Sequence, residues 1–127
     1  MKKASKVKNT KKWHIGLFRK NPFGQIEHLI LHYYQYREGN NYLNAWSYDG
    51  MCYWYRSYKD TKRACAVAQT ILRNYSLVLA AYVFDDEHNF FLGWYSDEKG
   101  YIMGLSENYF AKYVQDNFKM RFKIGDK

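Results

Sequence analysis

The feature that most constrains this chain is the passage from Asp60 to Phe84, where a clean helical period runs directly into an unbroken apolar segment. Ala64, Val67, Ala68, Ile71, Leu72 and Tyr75 recur at helical spacing, with Lys62, Arg63, Gln69, Thr70 and Arg73 on the polar side. Lys59-Asp60-Thr61 supplies an N-cap in front of this period, no glycine or proline interrupts it, and Asn74 to Ser76 ends it. The run that follows, Leu77 to Phe84, is far shorter than the roughly 20 residues a bilayer-spanning helix needs. Its length and composition predict a central strand buried on both faces.

Upstream of the helix, Tyr48 to Arg63 reads as a single unit of turn, strand and cap. Asp49-Gly50 is a strong hairpin signal, because a two-residue type I′ turn needs positive φ at both central positions. It predicts a strand over Tyr42–Tyr48 paired with one over Met51–Tyr58. The same unit interleaves Arg56, Lys59, Lys62 and Arg63 with Tyr53, Trp54, Tyr55 and Tyr58, a mixture suited to stacking on bases and pairing with phosphates.

The remaining elements follow in order. Trp13, Ile15 and Leu17 alternate in strand fashion up to an Asn21-Pro22-Phe23-Gly24 turn. Ile26 to Arg37 fits helical spacing and strand propensity alike; the turn before it decides for a strand, which Gly39-Asn40-Asn41 ends. Past the apolar run, acidic turns at Asp85–Asn89 and Ser96–Gly100 separate strands over Phe90–Tyr95 and Tyr101–Gly104. Ser106 then caps a second helix with Phe110, Tyr113, Val114 and Phe118 as its buried stripe, and Leu105 is placed to staple against Phe110. Met120, Phe122 and Ile124 alternate with Lys119, Arg121 and Lys123 in a last strand with one basic face. The expected fold is a single α+β domain over residues 13–127, mainly antiparallel sheet with two α-helices packed on one face.

Charge is distributed unevenly. The formal net charge is +8, yet the first 20 residues hold eight basic side chains and no acidic one, and the twelve other basic residues balance the twelve acidic ones. Residues 1–12, rich in lysine and polar side chains, are expected to form a disordered basic N-terminal arm in front of a neutral body. No apolar segment follows these lysines, so they do not read as a signal peptide, and a soluble cytoplasmic protein is expected. Cys52 and Cys65 have neither disulfide-scaffold nor metal-ligand spacing.

These patterns predict a non-enzymatic small binding protein that engages nucleic acid or a nucleoprotein complex. Lys2, Lys3, Lys11 and Lys12 would meet phosphates from the arm, with Arg56, Lys59, Lys62, Arg63, Lys119, Arg121 and Lys123 as ordered contacts. The alternative is an inhibitor of phage or mobile-element type that binds a nucleic-acid-processing enzyme, with Tyr53, Trp54, Tyr55 and Tyr58 as its anchors. His28 and His32, or Asp85 to His88, allow a metal site to be drawn. No zinc, phosphate-loop or nucleophile motif supports one, so neither a cofactor nor a metal is expected. An exposed sheet edge would permit dimerisation.

Overall fold

In the computed structural model the described residues are 11–47 and 55–124. Six strands, β1 (Trp13–Lys20), β2 (Ile26–Arg37), β3 (Asn40–Ser47), β4 (Val78–Asp85), β5 (Phe90–Ser96) and β6 (Ile102–Leu105), form one antiparallel sheet in the order β3-β2-β1-β4-β5-β6. Helix α1 (Thr61–Asn74) lies between β3 and β4 in the chain, and α2 (Glu107–Phe118) follows β6. The α+β class is as the sequence predicts, and the ambiguous Ile26–Arg37 is a strand throughout.

The two helices do not share a face of the sheet as expected. Strand alternation sends Ile15, Leu17, Leu31, Ala81 and Val83 to one side, where they pack against Ala64, Val67, Ala68, Ile71 and Leu72 of α1. Phe18, Ile30, Ala80, Tyr82 and Phe84 point the other way and meet Phe110 and Val114 of α2. The reason is already present in β4: a strand apolar on both sides needs two covers, and one layer of helices supplies only one. Met120, Phe122 and Ile124 complete the second cover. They form no strand, but their alternation survives, with Lys119, Arg121 and Lys123 outward.

Two glycines permit this packing. A Cβ on Gly16 would stand 2.1 Å from the Tyr82 ring, and one on Gly93 would stand 2.4 Å from Phe110. The aromatic rings therefore lie directly on the β1 and β5 backbones.

The helix caps differ in strength. Asp60 accepts a hydrogen bond from the Lys62 N–H at 3.0 Å, whereas Ser106 occupies the N-cap of α2 without a side-chain bond.

Of the expected hairpin between Tyr42–Tyr48 and Met51–Tyr58, the described part of the second strand, Tyr55 to Tyr58, does not pair with β3. Residues 48–54, with the Asp49-Gly50 turn, lie outside the described residues, and β3 pairs along its length with β2. The tight turn is at Glu38 and Gly39, with φ of 52° and 81°. Tyr55 to Tyr58 fill the wedge where β2 departs from β1. The Arg56 N–H donates to the Leu31 carbonyl at 3.0 Å, and Tyr58 exchanges backbone hydrogen bonds with Trp13.

Candidate functional site

A β-bulge between Leu31 and Tyr33 shapes a concave surface between β2 and α1. An extra residue in a strand reverses the alternation beyond it, so Tyr34 and Tyr36 face the α1 side together with Leu31, although both stand at odd spacing from it. Facing them, Arg63, Ala66, Val67, Thr70 and Asn74 recur every three or four residues along the flank of α1. The resulting groove has a volume of about 370 Å³. A second hollow of about 380 Å³, walled by Arg19, Leu43 and Tyr75 among others, shares Asn74 with it.

Local hydrogen bonds hold the walls in place. The Tyr34 hydroxyl donates to Asn41 Oδ1 at 2.6 Å, across the β2–β3 pair. Thr70 Oγ1 donates to the Ala66 carbonyl at 2.8 Å, and Asn74 Nδ2 to the Thr70 carbonyl at 2.9 Å. Burial raises the Tyr34 phenol, with Tyr58 and Tyr36 adding to it, and burial beside Tyr34 raises that of Tyr75. Both phenols are therefore neutral at ordinary pH. The Tyr75 hydroxyl is buried with no hydrogen-bond partner among the described residues.

Arg63 is the charged member of the first groove, and it has no ion pair among the described residues. It stands in the first turn of α1, which has no acidic residue, near Lys62 and just after Lys59. The positive end of the helix dipole makes that an unfavourable place for cations.

The other expected contacts are scattered. Arg56, Lys59 and Lys62 are exposed, with the Arg56 guanidinium 4.8 Å from the centre of the Tyr58 ring. Lys119, Arg121 and Lys123 follow the tail across the α2 side, away from the groove. Lys11 is engaged with Asp85 at 3.4 Å, and the Lys12 N–H donates to Asp86 at 3.3 Å. Lys2, Lys3, Tyr53 and Trp54 lie outside the described residues. Tyr55 and Tyr58, expected as partner anchors, are corrected by their burial: they are 3% and 6% exposed and belong to the core. Plugging the β1–β2 wedge consumes their surface.

The histidines also have structural surroundings. His14 is buried, with Nε2 2.7 Å from Asp86 Oδ1 and Nδ1 3.3 Å from the Arg56 carbonyl, joining β1 to the acidic turn and the wedge segment. His28 meets the Tyr82 hydroxyl and stacks on Phe18, and His32 packs edge-on to Tyr55 and Trp46. Among the described residues no group of three or more His, Cys, Asp or Glu side chains is placed to hold a metal ion, and no helix is long and apolar enough to cross a membrane.

Sequence reading missed Tyr34, Tyr36, Thr70 and Asn74 as one surface. Their types were visible, but the bulge that brings them together leaves no mark in hydrophobic periodicity. Compared with known proteins, the chain matches no family model, and neither the curated proteins nor the solved structures contain a significant match to it.

Proposed function

We propose that the protein is a non-enzymatic binding module for nucleic acid, with the tyrosine groove and the basic first turn of α1 as its contact surface. The observation that carries this reading is Arg63 beside Tyr34 and Tyr36, without a carboxylate to neutralise it among the described residues. A guanidinium next to the exposed Tyr36 ring and the half-buried Tyr34 ring suits phosphate and base together. Arg56, Lys59 and Lys62 extend the positive surface, and the lysines that precede β1 in the sequence supply further contacts to phosphate.

The test is a titration of the full chain with labelled RNA and DNA at 50 and 200 mM salt, conditions chosen to expose counterion release. Six phosphate contacts would give a slope of log K against log salt of about −5. Charge reversal of Lys62 and Arg63 together is expected to flatten that slope and weaken binding to every sequence. Absence of binding at the lower salt overturns the reading.

A second reading, a protein inhibitor of a nucleic-acid enzyme, is favoured by the opposite face of the same hairpin. There Tyr33, Tyr42 and Trp46 are exposed beside the uncharged Gln35 and Asn44, chemistry typical of protein interfaces. Capture of such an enzyme that survives reversal of Lys62 and Arg63, but not loss of Tyr42 and Trp46, would select it.

A further inference from the structure

We infer that the nucleic acid is single-stranded, and that the groove between β2 and α1 seats one unstacked base against Tyr36 while Arg63 holds an adjoining phosphate. This rests on the nucleic-acid reading above and adds the form of polymer and the residue that distinguishes it.

The groove has the size and chemistry of a base-binding site. Its volume of about 370 Å³ lies in the range of pockets that enclose small ligands. Tyr36 is 64% exposed, so a ring face is available for stacking without rearrangement of the core. The neutral Tyr34 phenol does not repel a phosphate, and among the described residues no carboxylate lines the groove. Its charge therefore complements an anion at one wall and an aromatic plane at the other.

The helix side adds the polar groups of Thr70 and Asn74 to the lining. Thr70 and Asn74 each spend a donor on α1 itself, which leaves the Asn74 Oδ1 oxygen as an acceptor. The neighbouring hollow, of about 380 Å³, begins at Asn74 and gives the strand a direction along α1 toward Tyr75.

A duplex does not satisfy this geometry. Its bases are stacked on one another and offer only their edges in the grooves, whereas stacking on a tyrosine requires a free base face. Arg63 alone would bind the phosphates of either form. Tyr36 is thus the residue that separates them.

The experiment is anisotropy of a labelled 12-nucleotide strand and of the same strand annealed to its complement, with the full-length protein and its Tyr36→Ala and Arg63→Gln variants. The single strand is expected to bind at least about tenfold tighter than the duplex. Tyr36→Ala should cost about tenfold on the single strand, the loss of one stacked base, and leave the duplex unchanged. Arg63→Gln should weaken both. Tyr36 is exposed, and matching melting curves for variant and parent would confirm that the change leaves the fold in place. Equal affinity for the two forms, or a single-strand affinity untouched by Tyr36→Ala, overturns the inference while the nucleic-acid reading stands. Failure to bind either form at low salt removes both.

Discussion

The central strands β1 and β4 and the β2–β3 hairpin are built from similar aromatic residues, but they end in opposite environments. Phe18, Tyr82 and Phe84 are wholly buried, while Tyr33, Tyr36, Tyr42 and Trp46 are exposed. The difference lies in their neighbours. In β1 and β4 the positions between the aromatics are filled by Ile15, Leu17, Ala81 and Val83, so both faces demand a cover and α1 and α2 provide it. In the hairpin they alternate with Gln35, Asn40, Asn41 and Asn44, and the bulge after Leu31 changes which side chains face α1. An aromatic side chain is thus core or surface according to what flanks it and whether a second layer reaches it.

Removing the second cover tests this contrast most severely. Phe110 is fully buried among Phe18, Tyr82, Phe90 and Phe122, and Phe110→Ala is expected to cost about 4 kcal/mol in urea unfolding. Gly16→Ala would drive a methyl group into the Tyr82 ring and should cost about 3 kcal/mol. If either variant kept parental stability, the two-sided packing of the central strands would be wrong.

The acidic turn at the end of β4 gives an intermediate effect. Burial pushes the Asp85 carboxyl up, but hydrogen bonds from the Asn89 and Glu87 N–H groups, the Asn89 amide and Lys11 outweigh it and hold the pKa below the ordinary value. A depressed folded pKa contributes stability above the unfolded value, about 3.9, and that stability disappears as pH falls through the folded value. Asp85→Asn keeps one oxygen as acceptor for the two backbone N–H groups but loses the Lys11 pair and the acceptor for Asn89 Nδ2. It should lower stability by about 1 kcal/mol at pH 7 and flatten the acid limb of the unfolding midpoint. A variant that retained the parent's full pH dependence would assign that limb to other carboxylates.

The hairpin sharpens the comparison from the other side. Tyr36→Ala and Trp46→Ala remove large rings that the core does not use, and each should change stability by no more than about 0.5 kcal/mol. Under the two proposed readings their effects would fall on binding, Tyr36 with the groove and Trp46 with the opposite face. A loss comparable to that of Phe110→Ala would place them in the fold's foundation instead.

The sequence by itself determined α1, its Asp60 cap, β4 and the two acidic turns, because each is encoded by residues within one short window: a helical period, a capping carboxylate or a run of apolar side chains. It also determined the inward set Met120, Phe122 and Ile124, although among the described residues no strand pairs with that segment. Only the tertiary structure decided that β1 sits between β2 and β4, that α1 and α2 take opposite faces, and that Tyr55 and Tyr58 are spent in the wedge beside β1. Those outcomes depend on pairings between distant segments, and in β2 on a single bulge that reverses which side chains share a face. The groove with Arg63, Tyr34 and Tyr36 exists for that reason: its residue types are local facts, and their meeting is a property of the sheet.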